Sequence, residues 1–329
     1  MSGVSKERSC LLVPLYTDPQ LPNYPDIVDG FGRFLTKAKD TTGLDIVVVD
    51  DGCDLTPKKL HDAVDRLISL PENLGKAQAV RHGFKKILEL GYDFTVQYDG
   101  DGDQSFIDIP RLQSKVIEVA EGDPKNPVLI IGDRYSEELI VTPNPESVAY
   151  RQSLLILLGA MSNQMGYEGV RDWVSGARAM TSSYIEGFLE RSIASRYGLE
   201  SEELVTAFLM GAKVTTAPLT VSRPRDVDTL TSKWLQNFEV YDDHEGSLRG
   251  KGQDNLVDVA QTISNSLRSE VDRFAVDLHK IGEPTIMHFA RLGDRYAANI
   301  SPAYRSRIFV ADAGFPFTIR KDETALEIS

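Results

Sequence analysis

The sequence predicts an α/β fold in which a parallel sheet is flanked by helices. The first half of the chain alternates short β-branched and aliphatic runs with segments whose apolar residues recur at helical spacing. This alternation is typical of parallel strands joined by helices. No repeat of fixed period is visible, which argues against solenoids and arrays. We therefore expect a layered α/β domain.

The strands and helices follow from these runs in chain order. Aliphatic and aromatic runs predict strands at residues 11–15, 44–49, 92–98, 128–131 and 214–221. The run at 44–49 lies between Gly43 and Gly52, as a buried strand does. Apolar residues at helical spacing predict helices at 27–39, 60–70, 77–90, 153–165, 182–197, 202–210 and 256–281. The helix at 77–90 ends at Gly91, a common residue at helix C-termini.

The chain changes character after Arg223-Pro224-Arg225. Residues 242–254 are polar and rich in glycine, and a long helical pattern at 256–281 comes after them. We expect a catalytic domain over residues 1–224 and a mostly helical extension over 225–329. The extension would serve as a lid, an oligomerisation element or an acceptor element, with residues 245–252 as a mobile segment.

Composition and charge narrow the class of protein. The 329 residues contain 36 basic and 49 acidic side chains, which gives a net charge of −13 and a pI near 4.9. Such a field repels the phosphates of nucleic acid, so no nucleic-acid partner is expected. Cys10 and Cys53 are the two cysteines of the sequence, which disfavours a disulfide framework and fits a reducing compartment. We expect a cytoplasmic protein.

No segment of the sequence looks like a membrane span or a signal peptide. The polar N-terminus is followed by a short apolar run that ends at Pro14. The longest apolar stretch, residues 154–161, is far shorter than the roughly 20 residues that a spanning helix needs. We expect no transmembrane segment, although the apolar stretch leaves peripheral contact with a membrane open.

An acidic loop follows the strand predicted at 92–98. Asp99, Asp101 and Asp103 alternate with glycines where a buried strand leaves the carboxyl edge of the sheet, the edge at which ligands bind in open α/β folds. Carboxylates in this arrangement predict a site for Mg²⁺ or Mn²⁺. The alternative is a solvated acidic turn. An EF-hand is disfavoured because Gln104 stands where that calcium loop needs glycine and Pro110 where it needs glutamate.

Several separate motifs, taken in chain order, resemble family 2 glycosyltransferases of the GT-A fold, and most closely the dolichyl-phosphate mannose synthase group. The match spans roughly residues 10–222. Its motifs are Pro14-Leu15-Tyr16-Thr17-Asp18, Val48-Val49-Asp50-Asp51-Gly52-Cys53, Asn73-Leu74-Gly75-Lys76, Asp99 with Asp101, Asp108-Ile109-Pro110, Ile131-Gly132-Asp133-Arg134-Tyr135 and Asp172-Trp173-Val174-Ser175-Gly176-Ala177-Arg178. Cys53 and Asp133 each replace a serine of the family pattern.

The resemblance implies both a fold and a reaction. It implies a GT-A, Rossmann-like mixed sheet flanked by helices, and a metal-dependent transfer of a hexose from a GDP- or UDP-sugar, with inversion. Polyprenyl phosphate is the first acceptor to consider. The alternatives are a soluble or polymeric hydroxyl acceptor, or a sugar-nucleotide-binding regulatory subunit without turnover. Nucleotidyl transfer ranks low because residues 16–24 contain neither glycine nor a basic residue.

The resemblance also assigns candidate residues to the nucleotide. They are Pro14, Tyr16, Asp18, Asp50, Asp51, Lys76, Asp99, Gly100 and Arg178. Each has a structural alternative. The aspartates can cap turns or helices, Lys76 can be a surface lysine at a helix start, and Arg178 can form a salt bridge that braces its loop.

The candidate catalytic residues are Asp101, Arg134, Arg151, Asp172 and Glu202. Asp101, with Asp99 and Asp103 as the other metal ligands, would hold the cation that neutralises the leaving diphosphate. Arg134 and Arg151 stand where the resembled group holds its lipid phosphate. A hydroxyl acceptor would instead need a base, for which Asp172, Glu200 and Glu202 are the candidates.

Ordinary structural roles compete with these assignments. The arginines can form ion pairs with any of the many carboxylates. Glu202 can favour a helix start through the helix dipole alone. The helices of the extension could pair subunits, so a homo-oligomer is a further expectation.

Overall fold

The computed structural model describes residues 8–100, 105–134, 165–167, 169–170, 172, 174–193, 198–220, 231–258, 260–261, 264–265, 286–292, 295–301, 307–312 and 317–320. The chain divides into two compact units, and each is described by itself. The first comprises residues 1–140 and 172–223, and the second comprises residues 141–171 and 224–329.

The first unit is built on a seven-stranded mixed sheet. Its strands are β1 (Ser9–Leu15), β2 (Asp45–Asp50), β3 (Arg66–Ser69), β4 (Phe94–Gln97), β5 (Val128–Asp133), β6 (Arg178–Thr181) and β7 (Lys213–Pro218). They lie in the order β3-β2-β1-β4-β6-β5-β7. Strand β6 is antiparallel to both of its neighbours, whereas the other adjacent pairs are parallel. The expected mixed sheet is therefore confirmed.

Five helices accompany this sheet in the described part of the first unit. They are α1 (Tyr24–Thr42), α2 (Lys76–Leu90), α3 (Ile109–Val119), α4 (Ser182–Arg191) and α5 (Leu199–Met210). Helix α1 ends at Gly43, whose positive φ of 65° allows its N–H to donate to the Lys39 carbonyl. At the start of α4 the Thr181 hydroxyl accepts a hydrogen bond from the Tyr184 N–H.

The sheet buries both of its faces, as parallel sheets do. On one face, Val13, Ile46 and Val96 belong to a core that includes Leu35 of α1 and Leu112 of α3. Helix α2 covers the other face at close range. A Cβ at Gly83 would lie 2.5 Å from a methyl of Leu12 and 3.1 Å from a methyl of Val49, so the absence of a side chain lets the helix approach the strands.

Two parts of the predicted element order differ from the structure. The helix predicted at 60–70 is wrong, because this segment holds the end of a short 3₁₀ helix (Lys58–Leu60) and then β3, which pairs with β2. Pairing with the sheet overrides the local apolar spacing there. Strand β6 lies in a segment where only a loop was expected, and α3 was not predicted.

The second unit contains helices and a separate sheet. Its helices include α6 (Thr231–Asp243) and α7 (Glu245–Arg249), and residues 254–258 are also helical. Strands β8 (Ile286–Leu292), β9 (Arg295–Ser301), β10 (Arg307–Asp312) and β11 (Phe317–Arg320) form an antiparallel sheet in the order β11-β10-β9-β8. The expectation of a mostly helical extension did not anticipate this sheet.

Other predictions for the C-terminal half meet the structure only in part. The segment expected to be mobile, 245–252, begins with helix α7. Two predicted helices lie largely outside the described residues, namely those at 153–165 and 256–281. Among the residues that are described, no helix combines the length and the apolar character needed to cross a membrane.

Packing of α2 on α4 gives a first testable prediction. The fully buried rings of Phe84 and Phe188 meet edge to face, with centroids 5.7 Å apart. We expect Phe84→Ala to lower the free energy of unfolding by about 3–5 kcal/mol, because it removes a buried ring and leaves a cavity. Equilibrium unfolding in urea measures the change. The control Ile193→Ala, at a residue that is 59% exposed, should stay within about 0.5 kcal/mol of the parent. Equal stability of F84A and the parent would contradict this packing.

Candidate functional site

The predicted nucleotide residues follow the carboxyl ends of adjacent parallel strands. Strand β1 carries the buried Pro14 and is followed by Tyr16, whose ring is 50% exposed. Asp18 lies in the turn after it, where its carboxylate accepts a hydrogen bond from the Gln20 N–H at 2.9 Å. Asp99 and Gly100 follow β4, the neighbour of β1. One edge of the sheet therefore gathers these residues, as expected for a ligand site in an α/β fold.

Asp50 and Asp51 hold the loops around this edge. The Asp50 carboxylate accepts hydrogen bonds from the N–H groups of Cys53 and Leu55, at 2.6 and 2.8 Å. Asp51 accepts from Leu74 and Gly75, at 2.7 and 2.9 Å, and so fixes the segment that leads into α2. Both aspartates are buried. These contacts give them the structural role that was the alternative, and their contact with a nucleotide stays a prediction.

Cys53, at the position where the resembled motif has serine, forms hydrogen bonds in the loop after β2. Its sulfur accepts from the Thr17 N–H at 3.1 Å and donates to the Leu15 carbonyl at 3.5 Å. Burial raises the pKa of the Cys53 thiol to about 12, although the bond from Thr17 opposes the shift. The thiol is therefore neutral at physiological pH and serves to join the ends of β1 and β2.

Lys76 joins two carboxylates at the first residue of α2. Its Nζ lies 2.7 Å from Asp99 Oδ1 and 2.6 Å from Glu200 Oε1. The side chains of Lys76 and Asp99 are 21% and 22% exposed. Burial disfavours the charge of Lys76, but Asp99 and Glu200 outweigh this effect and raise its pKa. Lys76 is thus a charged member of the site rather than a surface lysine.

Asp99 also packs against the loop that precedes β6. A Cβ placed on Gly176 would lie 1.8 Å from Asp99 Oδ2 and 2.2 Å from the carboxyl carbon, which is far inside van der Waals contact. A residue with a side chain would therefore displace the Asp99 carboxylate. The glycine of the Ser175-Gly176 motif is explained by this close approach.

Glu202, a candidate for the base, is held by contacts within the protein. It is fully buried in the first turn of α5, 3.1 Å from Arg81 Nη2, and accepts hydrogen bonds from the Ser192 hydroxyl and the Ile193 N–H. These contacts occupy both carboxylate oxygens. Its carboxylate thus fixes the start of α5, which is a structural role, and the assignment of Glu202 as a catalytic base stays a prediction.

Arg178 and Glu203 form an ion pair in the interior. Arg178 Nη1 lies 2.9 Å from Glu203 Oε2, and neither side chain is exposed. Arg178 Nε also donates to the Ser175 carbonyl at 3.0 Å. Arg178 therefore braces the loop before β6, which is its structural alternative. Its contact with a nucleotide remains a prediction.

Burial also changes the acidity of Glu203. Desolvation raises the pKa of Glu203 to about 7, with Arg178 acting in the opposite direction and Glu200 adding to the increase. Gln97, the register partner of Arg178 in the β4–β6 pair, is fully buried, and its side-chain amide makes no hydrogen bond to any described residue. The interior beneath Asp99 is thus polar and charged.

Asp172 and Arg134, two predicted catalytic residues, lie in direct contact. Arg134 Nε and Nη2 donate to the two Asp172 oxygens at 2.6 and 2.7 Å, and the Arg134 backbone N–H donates to Asp172 Oδ2 at 3.1 Å. Asp172 is fully buried. This bidentate pair ties the end of β5 to the loop before β6. Asp172 thus has a structural role in this contact, and its assignment as a base stays a prediction.

Of the three predicted metal ligands, only Asp99 lies among the residues that the structure describes. Asp101, Asp103 and Arg151 lie outside the described residues. Among the described residues no group of three metal-ligating side chains lies together. Asp99 itself fits a hard divalent cation, because its oxygens are of the type that Mg²⁺ and Mn²⁺ prefer and already attract the Lys76 ammonium. The metal site stays a prediction.

Sequence reasoning missed several residues that shape the site. Arg81 and Glu203 were not singled out, and Gly176 was noted only within its motif. Each of them contacts a residue that is distant in sequence, so no local pattern reveals the contact. Asp108 was noted only as part of a motif. Its buried carboxylate accepts hydrogen bonds from the Thr220 N–H at 2.7 Å and the Thr220 hydroxyl at 3.2 Å, which joins the start of α3 to the segment after β7.

Two curated proteins are similar to this chain over about two thirds of its length. Glycosyltransferase AglJ of Haloferax volcanii is 25% identical over 222 residues, covering 67% of this chain and 65% of the relative. Dolichyl-phosphate beta-glucosyltransferase ALG5A of Trichomonas vaginalis is 24% identical over 217 residues, covering 64% of both chains. The chain thus spans slightly less than two thirds of either relative. These similarities confirm the expected resemblance to glycosyltransferases. No family model matches the chain.

Comparison with solved structures gives matches of low TM-score and low identity. The 4-diphosphocytidyl-2C-methyl-D-erythritol synthase of Anaerococcus prevotii has a TM-score of 0.40 and 12% identity, over 71% of this chain and 98% of that one. The mannose-1-phosphate geranyltransferase structure from Thermus thermophilus has a TM-score of 0.38 and 11% identity, over 65% of this chain and 75% of that one.

The contact between Asp99 and Gly176 gives a second prediction. We expect Gly176→Ala to force the Asp99 carboxylate out of its position, to break its contact with Lys76, and to destabilise the fold by about 1–3 kcal/mol through overpacking. A crystal structure of the variant and urea unfolding measure these effects.

Gly30→Ala is the matched control for this substitution. Gly30 lies within α1, where the nearest atom to an added Cβ is 3.8 Å away, so this change should leave Asp99 in place and preserve or raise stability. An unmoved Asp99 carboxylate in G176A would contradict the proposed steric role of Gly176.

Glu203 gives a third prediction, on pH. The unfolded chain releases this proton near its ordinary pKa of 4.5, whereas the folded chain keeps it to about 7. The folded state therefore holds more protons between these values, and the stabilisation from Glu203 is lost as pH rises from about 4.5 to about 7. The quantity to compare is the free energy of unfolding of the parent minus that of Glu203→Gln. We expect this difference to fall by on the order of 1–3 kcal/mol between pH 5 and pH 8, because the parent loses stability over this range.

Urea unfolding at a series of pH values measures this difference. Glu190→Gln, at an exposed carboxylate of α4, is the control and should follow the parent at every pH. A difference between E203Q and the parent that does not vary with pH would show that Glu203 has the same pKa in the folded and unfolded chain.

Proposed function

We propose that this protein is a glycosyltransferase that moves a hexose from a GDP- or UDP-sugar to a polyprenyl-phosphate-type acceptor, with inversion at the sugar. The ordered motifs of residues 10–222 and the two relatives named as glycosyltransferases support the reaction class. The relative named as a dolichyl-phosphate glucosyltransferase supports the class of acceptor. Transfer to a hydroxyl compound is the alternative.

One observation in the structure favours the phosphate acceptor over the hydroxyl. Each of the three carboxylates considered as a base is already in contact with a cation. Asp172 is held by Arg134, Glu200 by Lys76 and Glu202 by Arg81. A hydroxyl acceptor must lose a proton to a positioned base, whereas a phosphate monoester arrives ionised and needs only to be oriented. The site is better suited to the second case.

The donor would bind at the carboxyl edge of the sheet. The exposed ring of Tyr16 and the carboxylate of Asp18 are available there for a base and a ribose. Asp50 and Asp51 would support the donor indirectly, because their oxygens already fix the loops that form this edge. Gly100 packs against the Phe31 ring, since a Cβ there would lie 2.5 Å from a ring carbon, and its contact with the nucleotide is proposed from the motif alone.

The proposal includes a divalent cation, Mg²⁺ or Mn²⁺, held by Asp99 with Asp101 and Asp103. When bound, such a cation supplies positive charge that offsets the charge growing on the departing diphosphate. Lys76 holds the Asp99 carboxylate in one orientation, and Gly176 leaves room for it. Arg134, fixed by Asp172, and Arg151 are proposed to orient the acceptor phosphate.

Location and assembly complete the proposal. A lipid-phosphate acceptor would bring a cytoplasmic enzyme to the membrane surface for each transfer. We also propose that residues 225–329 serve as a lid or as the contact between subunits. Size-exclusion chromatography and vesicle sedimentation measure these two properties separately from catalysis.

Transfer assays give the fourth prediction. We expect the purified protein to transfer a hexose from a GDP- or UDP-sugar to polyprenyl phosphate when Mn²⁺ or Mg²⁺ is present, and to lose this activity in a chelator. Asp99→Asn should lower kcat/KM by about 10²-fold or more, because a charged group near the leaving diphosphate is lost. Asp40→Asn, an exposed aspartate of α1, is the matched control and should leave kcat/KM unchanged.

Two results would count against the proposed function. The first is a protein that neither binds nor hydrolyses any sugar nucleotide with Mn²⁺ present, which would reject the reaction class. The second is full turnover in chelator and in D99N, which would reject the metal while leaving the transfer reaction in place. Transfer to a hydroxyl acceptor alone would replace the proposed acceptor class.

A further inference from the structure

Lys76 is shared between two carboxylates that belong to different parts of the fold. Asp99 follows β4, Lys76 opens α2, and Glu200 lies in the first turn of α5. The ammonium lies within 2.7 Å of one oxygen of each carboxylate. A single positive charge thus balances two negative charges, which leaves the three groups with a net charge of −1.

Glu200 is held firmly in this arrangement by its neighbours in α5. Its side chain is almost fully buried. The two glutamates that follow on the same helix are paired with Arg81 of α2 and Arg178 of β6. Because these pairs fix the start of α5 against α2 and the sheet, the Glu200 carboxylate stays within reach of Lys76.

We propose that Glu200 is a positioning residue that sets the affinity of Asp99 for a divalent cation by acting through Lys76. The inference rests on the proposed metal site and adds to it a residue that touches neither metal nor substrate. Lys76 competes with a metal ion for the Asp99 carboxylate, since both are cations that approach the same oxygens. Glu200 weakens this competition, because it offers the ammonium a second partner.

Removal of the Glu200 charge should therefore weaken metal binding rather than strengthen it. In Glu200→Gln the side chain keeps its size and its oxygen, but the full charge of Lys76 is directed at Asp99. Partners that act on a ligand from outside the coordination shell commonly change metal affinity by about 10–100-fold. We expect the Kd for Mn²⁺ to rise by about tenfold in E200Q.

The dependence on Lys76 separates this role from a general effect of charge or folding. In Lys76→Met the competing ammonium is absent, so Mn²⁺ should bind at least as tightly as to the parent. The further change to E200Q in that background should raise the Kd by less than about threefold, because Glu200 then has no ammonium to hold. Two substitutions that act independently would instead give the same tenfold effect in both backgrounds.

The experiment is a titration of Mn²⁺ into the full-length protein, with free Mn²⁺ followed by electron paramagnetic resonance and no donor or acceptor present. The parent, E200Q, K76M and the double variant form the cycle, and Glu190→Gln serves as a control for loss of a carboxylate elsewhere. Near-ultraviolet circular dichroism checks that each variant is folded. Lys76→Gln replaces K76M in the cycle if K76M fails to fold.

The outcomes separate this inference from the proposed function. A Kd in E200Q equal to that of the parent, or an equal effect of E200Q with and without Lys76, would overturn the role of Glu200. A parent protein that binds no Mn²⁺ would overturn it as well, whatever the transfer assay shows. The expected cycle in a protein without transfer activity would support the positioning role and reject only the proposed reaction.

Discussion

The carboxyl edge of the sheet depends on the neutralisation of buried carboxylates by cations from other elements. Asp172, Glu200, Glu202 and Glu203 are buried and are in contact with Arg134, Lys76, Arg81 and Arg178, respectively. A buried carboxylate that loses its cation costs several kcal/mol, so each pair constrains where its two elements can lie. Together they hold α5 against α2 and β6, and the loop before β6 against the end of β5.

The polar residues of this edge fall into two groups: carboxylates that are paired within the protein, and side chains that are partly exposed and can contact a ligand. The paired glutamates and Asp172 each contact a lysine or an arginine of the protein. Tyr16, Asp18 and Asp99 remain partly exposed at the same edge. A phosphate acceptor suits this division because such a nucleophile needs orientation and charge but no proton acceptor. The chemistry proposed for the site thus follows from the arrangement of charges as much as from the motifs.

Local patterns in the sequence were sufficient for part of the architecture. Strands β1 and β2 contain continuous apolar runs, and β4 carries an aromatic and a β-branched residue that also favour a strand. Asp99 follows β4, so both the sheet and its acidic edge could be predicted. Strand β6 is only four residues long and exists through its register with β4, where Arg178 lies opposite Gln97. The contact between Lys76 and Glu200 joins residues 124 positions apart. No local pattern specifies which lysine meets which glutamate, and the contacts of Glu202 with Arg81 and of Asp172 with Arg134 could not be predicted for the same reason.

The motif from Ser175 to Arg178 shows what a sequence resemblance of this kind reports. The Ser175 carbonyl accepts a hydrogen bond from Arg178, which also pairs with Glu203. The absence of a side chain at Gly176 leaves room for the Asp99 carboxylate. The Ala177 carbonyl accepts a hydrogen bond from the Gly132 N–H. Each position thus stabilises the edge of the sheet by a contact within the protein. Since none of these contacts depends on which sugar or base is bound, a chain can keep the motif whatever donor it uses. Identity of 24–25% to two glycosyltransferases is therefore informative about this framework and the reaction class, while donor choice must come from residues outside the motif.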